Sequence, residues 1–233
     1  MPTPTPEFEL AGAYWPAVEQ GPRRLLVVPT GSLEQHGAHL PLDTDTQIAV
    51  AVARRACAGR AGVALAPAFG LGASGEHADF PGTLSIGTAA LTTCLIELGR
   101  HASRDWPALL LVNGHGGNAA AIEAATGRLR YEGRPAHAWH AGLPGADAHA
   151  GRFETSVMLA LGPDAVRLAA AEPGERRPVR EILPVLRERG VRAVSANGVL
   201  GDPSGASAAE GEVLLERLTG RLNEVVDRIL AEP

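Results

Sequence analysis

With 233 residues, 45% of them hydrophobic, and no linker-like stretch between its segments, the chain can bury one substantial core; a single domain over 8–233 is expected behind a disordered lead at 1–7. A net charge of −5 gives no basic stripe for nucleic acid, and no apolar run approaches the roughly 20 residues of a membrane span. The Met1-Pro2-Thr3-Pro4-Thr5-Pro6 start lacks the order of a secretory signal, and Cys57 and Cys94 are expected as reduced core residues on apolar helix faces, so a soluble cytoplasmic protein is expected.

Residues 8–20 read as a short helix or irregular lead. The apolar run at 25–29 predicts a buried strand, the Ala-rich stretch 46–59, closed by Gly59, a helix, and 63–67 a second strand. Residues 68–87 are crowded with Gly, Ser and Pro and hold no period, which predicts a long ordered loop, usually a functional feature in a compact domain. A helix follows over 88–106, with Leu91, Leu95 and Leu98 on one face and Pro107 ending it. The run ALLLV at 108–112 is apolar throughout, as parallel strands covered on both faces are. Asn118 is placed to cap a helix through about Tyr131, with a strand at 136–140 and helices at 152–161 and 208–231, the last opened by the capping-box spacing of Ser207 and Glu210. Strand, polar loop, helix, strand is the rhythm of an α/β fold, in which ligands collect outside the carboxyl ends of the strands.

The polar residues concentrate at those ends. In GSLEQHGAHLPLDTD, residues 31–45, an extended backbone at 34–36 points the Glu34 carboxylate and the His36 imidazole the same way, which makes half of a metal site. Asp45 can join them after the turn forced by Pro41, with two oxygens to bridge two ions. His115 lies between glycines just past the strand at 108–112, where the imidazole can face inward; a hydrogen-bonded loop histidine is the alternative.

The 31–45 segment resembles the signature of the creatininase family of metal-dependent amidohydrolases. The likeness recurs in family order at GASGEH (72–77) with FPGTLS (80–85), at NGHGGN (113–118) and at HAGRFETS (149–156). It implies a creatininase-like three-layer α/β/α sandwich with a mostly parallel central sheet, two divalent ions, Glu34, His36, Asp45 and His115 as ligands, and His149 as the catalytic proton carrier. Creatininase itself has a glutamate ligand two residues past the histidine, where this chain has Gly117. Glu154 is the candidate replacement, with a first-turn residue favoured by the helix dipole as the alternative. Glu34, Asp45 and Glu154 would set three negative charges against the four of two divalent ions, leaving room for one hydroxide as nucleophile. Nitrogen and oxygen donors without sulfur suit Fe2+, Zn2+ or Mn2+. Ser74, Glu76 and His77 are expected to meet substrate or to form a solvated loop, and His39 and Asp43 to orient the ligands. Gly116 and Gly117 stand where creatininase has bulky side chains, so a wider floor is expected.

With AVSANGVLGDPSGASAAEG at 193–211, these details look like a peptide-cleaving branch of the family. The resemblance then implies a modified, ribosomally made precursor peptide as substrate, losing a C-terminal Val-Tyr dipeptide during redox-cofactor biosynthesis. A small cyclic amide or formamide as substrate, or a catalytically silent scaffold, are the alternatives. Family likeness and a second apolar stripe on the terminal helix point to a homo-oligomer, although that stripe can equally be core.

Overall fold

A computed structural model describes residues 8–232, so the lead expected at 1–7 lies outside the described residues. Strand β1 (Phe8–Glu9), a 3-10 turn and helix α1 (Trp15–Gln20) come first. They are followed by β2 (Leu25–Thr30), α2 (Thr44–Cys57), β3 (Val63–Leu65), α3 (Gly87–Ala102), β4 (Ala108–Asn113), α4 (Ala119–Tyr131), β5 (Ala136–His140), α5 (Arg152–Leu161), α6 (Val179–Arg189) and α7 (Ala208–Ala231). The strands form one parallel sheet in the order β1-β3-β2-β4-β5.

Both central strands, β2 and β4, are buried along their whole length, which is why they read as unbroken apolar runs. Strand alternation divides their side chains between two cores. Leu25, Val27, Leu110 and Val112 pack with Ile48 and Val52 of α2, Val157 and Met158 of α5, and Leu215, Leu218 and Leu222 of α7. Leu26, Val28, Leu109 and Leu111 pack on the other face with Leu91 and Leu95 of α3 and Ile122 and Leu129 of α4. The result is a three-layer α/β/α sandwich. The buried stripe of α7, continuing to Val226 and Ile229, belongs to the first core, so the stripe that hinted at an oligomer is spent inside the chain.

Several local expectations are corrected. Helix α2 begins at Thr44, where the Thr44 hydroxyl bonds the Pro41 carbonyl, and this puts Asp45 in its first turn. Helix α3 stops at Ala102, short of Trp106: the Ser103 hydroxyl takes the Arg100 carbonyl and so offers the backbone an alternative to another turn. Cys94 is exposed, not core, because the buried stripe of α3 runs through Leu91, Leu95, Gly99 and Ala102 and leaves position 94 off it. Asn118 precedes α4 without capping it by its side chain. Its amide instead receives the Ala73 N–H and donates to the carbonyl of Gly31 and to Asn113 Oδ1, tying the 68–87 loop to both central strands. At α7 half of the capping box forms, Ser207 Oγ receiving the Glu210 N–H at 3.2 Å, while the Glu210 carboxylate turns to Arg152 and Ser156.

The seat for the site is made at the ends of β2 and β4, where Thr30 and Asn113 are in register. A Cβ on Gly31 would lie 2.5 Å from Thr46 Cα, and one on Gly114 would lie 2.3 Å from the Asp45 carbonyl oxygen. Only glycine lets the start of α2 enter between the strand ends. Gly114→Ala is therefore expected to cost about 1–3 kcal/mol in urea unfolding, since the obstacle is backbone rather than a movable side chain. A cost under about 0.5 kcal/mol would mean that the helix start can shift freely.

Candidate metal centre

Glu34 and His36 follow β2, Asp45 sits in the first turn of α2, and His115 lies two residues beyond β4. His149 and Glu154 come from the entry to α5. Main-chain bonds between His149 and Leu200, 2.9 and 3.3 Å long, hold the first of these in place. The next residue, Ala150, has φ of 53°, a left-handed conformation rare for a residue with a Cβ, and its N–H donates to Glu154 Oε2 at 2.6 Å. This strained turn aims His149 and Glu154 into the same space.

Asp45 stands in the middle. Its Oδ1 is 3.1 Å from His36 Nε2, its Oδ2 is 3.1 Å from His115 Nδ1, and Oδ2 also receives the Ser32 hydroxyl at 2.6 Å. The two oxygens of one carboxylate therefore face two different imidazoles. Glu154 Oε2 lies 3.8 Å from His36 Nε2. Glu34 is wholly buried, yet neither of its oxygens has a hydrogen-bond donor. The nearest nitrogens, His115 Nε2 at 3.2 Å and His77 Nε2 at 3.3 Å, are not aligned to bond it. A buried carboxylate left in that condition costs several kcal/mol unless a cation sits beside it.

Three groups bring ligand atoms within 4.8 Å of one another: Glu34 with Asp45 and His115, His36 with Asp45 and Glu154, and Glu34 with His36 and His149. The first two share Asp45. Orphaned carboxylate oxygens, neighbouring imidazoles and a shared carboxylate fit the ligation of divalent metal.

The electrostatics belong to the same cluster. Burial alone would lower His36, but Asp45 beside it outweighs this and raises its pKa to about 10. His115 is likewise raised well above the usual range, burial being overcome by Glu34 and Asp45. Burial works against ionised Glu34 too, yet His115 holds its pKa near 2. Asp45 is also held low, burial being outweighed by His36 and His115. Glu154, where burial prevails, is pushed up to about 7. His77 falls to about 4 through burial, and His149 falls well below its usual value through burial and the adjacent His36 and His77.

All five expected ligands thus converge, and His149 joins them. Ser74 is buried with its hydroxyl 3.5 Å from His115 Nε2, and His77 is buried against Glu34, whereas Glu76 is 30% exposed, its Oε1 3.5 Å from His115 Nε2. Asp43 does not reach the cluster and receives the Gln47 amide instead, and His39 bonds the Thr155 hydroxyl next to Glu154. The wider floor is corrected in part. Space opens beside exposed Gly116, but a Cβ on Gly117 would lie 2.4 Å from Glu76 Oε1 and from His115 Nε2, so Glu76 and His115 already fill that side. Sequence reasoning gave no site role to Ser32 or Gln35 and read Asn118 as a helix cap; their one signal was their place inside two of the motifs.

The family model described as creatinine amidohydrolase matches residues 11–226. The mycofactocin precursor peptide peptidase of Mycolicibacterium smegmatis is 51% identical over 211 residues, covering 88% of this chain and 84% of the relative. That of Mycobacterium tuberculosis is 48% identical over 217 residues, covering 89% and 86%. A solved creatininase mutant described as the Zn-Zn type superposes with a TM-score of 0.78 at 28% identity, over 96% of this chain and 98% of that one.

Because His36 and His115 hold their protons far above neutrality, an ion that takes both nitrogens must displace those protons. Zinc added to chelator-stripped protein at pH 7.5 is expected to release at least two protons per chain, read from the buffer dependence of the calorimetric heat, and zinc affinity is expected to fall as the pH is lowered. Heats that do not depend on the buffer would contradict this.

Proposed function

The chain belongs to the creatininase family, and from that premise we propose that it is a metal-dependent peptidase that hydrolyses the modified mycofactocin precursor peptide and releases its C-terminal modified Val-Tyr dipeptide. The observation that carries the hydrolytic chemistry is Asp45, whose two oxygens face His36 and His115 between Glu154 and Glu34. The choice of substrate is supported by likeness to peptidases along nearly nine tenths of the chain.

In this reading Glu34, Asp45 and His115 hold one divalent ion, and His36, Asp45 and Glu154 hold the second, with Glu154 taking the role left open by Gly117. Fe2+ or Zn2+ is the proposed metal, and Mn2+ also suits the donors. Bound ions supply a water of lowered pKa and polarise the scissile carbonyl. His149, kept neutral by burial, takes the proton of the attacking water and delivers it to the leaving nitrogen. Glu154, whose pKa burial pushes up to about 7 without an ion, would supply the third negative charge once an ion displaces its proton. Exposed Gly116 lets a peptide backbone come close and Glu76 offers a carboxylate at the edge, while Ser74, His77 and Gly117 support that side from behind.

The proposal includes one domain, a cytoplasmic location and a homo-oligomer. Cys57 and Cys94 are unpaired, and no helix among the described residues is long and apolar enough to cross a membrane. Tyr14 and Trp15, 82% and 74% exposed, offer aromatic surface for a second copy to cover. Light scattering that gives a monomer at micromolar concentration would remove the oligomer.

The reaction is tested by mass spectrometry of the metal-loaded protein with its modified precursor. Asp45→Ala is expected to lose both ions and all dipeptide release, whereas Asp43→Ala keeps most of each. His149→Ala is expected to lower kcat by about 10² to 10⁴-fold with metal retained, the usual contribution of a general acid or base. Loss of metal in that variant would make His149 a ligand instead. Loaded wild type that opens small lactams or formamides yet releases no dipeptide would replace the peptidase reading with the small-amide one.

A further inference from the structure

Gln35 has no place in the ligand set, yet its amide is buried between two of the histidines. Its Oε1 accepts from the Gly37 N–H at 2.9 Å and its Nε2 donates to the Gly198 carbonyl at 3.0 Å. A backbone N–H only donates and a carbonyl only accepts, so these contacts settle which end of the amide is which. The backbone is shaped around this amide: Gly198 has φ of +81°, and a Cβ there would lie 1.9 Å from Gln35 Oε1.

One amide proton remains, and two ring nitrogens are within its reach. His77 Nδ1 is 2.8 Å from Gln35 Nε2 and His149 Nε2 is 3.1 Å from it. His149 Nε2, however, is also 2.7 Å from the main-chain carbonyl of Gln35, a bond that requires the proton to sit on that nitrogen. A protonated nitrogen cannot accept. The amide proton therefore goes to His77 Nδ1, and His77 carries its own proton on Nε2.

We propose that Gln35 is a positioning residue that sets the tautomers of His77 and His149. Both rings are protonated on Nε2, so they present opposite atoms to the same oxygen of Glu34: His77 an N–H at 3.3 Å, His149 a bare Nδ1 at 3.6 Å. Their ring centroids are 4.5 Å apart and both rings are buried, yet only His149 keeps a lone pair toward the carboxylates. Only His149 can then accept a proton there or bind an ion, and His77 cannot substitute for it. The catalytic meaning of this difference rests on the function proposed above; the tautomers themselves do not.

The test is a two-bond proton–nitrogen correlation spectrum of zinc-loaded, diamagnetic protein labelled with 15N-histidine, its signals assigned from His77→Asn and His149→Asn. Wild type is expected to show Nε2–H at both rings. Gln35→Glu replaces the NH2 donor with an acceptor, so His77 is expected to move its proton to Nδ1 while His149, bonded to main chain, keeps Nε2–H. Activity of that variant is expected to fall about 10- to 100-fold, the usual cost of removing a partner that orients a site residue. A thermal melt confirms that it is folded, and Gln35→Leu, which leaves His77 with no partner at Nδ1, is expected to show a mixture of tautomers at that ring. An Nδ1–H signal for His77 in wild type, or identical His77 tautomers in wild type and Gln35→Glu, would overturn the proposal. A wrong substrate would leave these spectra unchanged and abolish only dipeptide release.

Discussion

Glu34 is ionised where water does not reach and where no donor is aligned with either of its oxygens. Desolvating a carboxylate costs several kcal/mol after relaxation, and here Asp45 lies close enough to add like-charge repulsion. Without an ion, compensation for the buried carboxylates comes chiefly from the extra protons on His115 and His36. The two divalent ions of the proposed function would answer the same charge and take the lone pairs that those protons occupy.

The fold is arranged around making this cluster possible. Parallel strands with their carboxyl ends in register deliver residues after β2 and β4 to one spot, and glycines at positions 31 and 114 let the first turn of α2 wedge between them. Asp45 arrives on that turn, where the helix dipole also favours an anion. The remaining pieces come from about a hundred residues further on, through a turn whose strain at Ala150 is held by the pairing with Leu200. Such strain persists where surrounding structure over-determines the conformation, and it gathers at functional sites.

Much of this was legible in the chain. Strands β2, β4 and β5 announce themselves because burial on both faces, or a sharp turn on either side, leaves little choice of residue. Of the proposed ligands, Glu34, His36 and Asp45 were legible because one segment carries them at spacings that an extended backbone and one helical turn bring together, whereas His115 and Glu154 rested on the family resemblance. Other features left no such trace. Helix α6 spaces Val179, Ile182, Leu183 and Leu186 as a helix would, but it buries Ile182 alone and carries Pro184 in its interior, a residue that reads as a helix breaker. Asn118 looks like a helix cap by position, but its amide is drawn to Ala73 and Gly31, partners that only the tertiary fold supplies. Gln35 reads as one more polar residue of the loop, and nothing in one dimension shows that two histidines from distant segments lie within reach of its amide. The filling of the space at Gly117 by Glu76 is a contact between two loops and was equally out of reach.

The central claim is that the buried carboxylates and imidazoles form a seat for two divalent ions that the activity requires. The most direct measurement is elemental analysis of purified wild-type protein, with the metal content of each preparation set against its rate of dipeptide release. Activity should rise with metal and saturate near two ions per chain. Full activity in preparations holding no more than trace metal would contradict it.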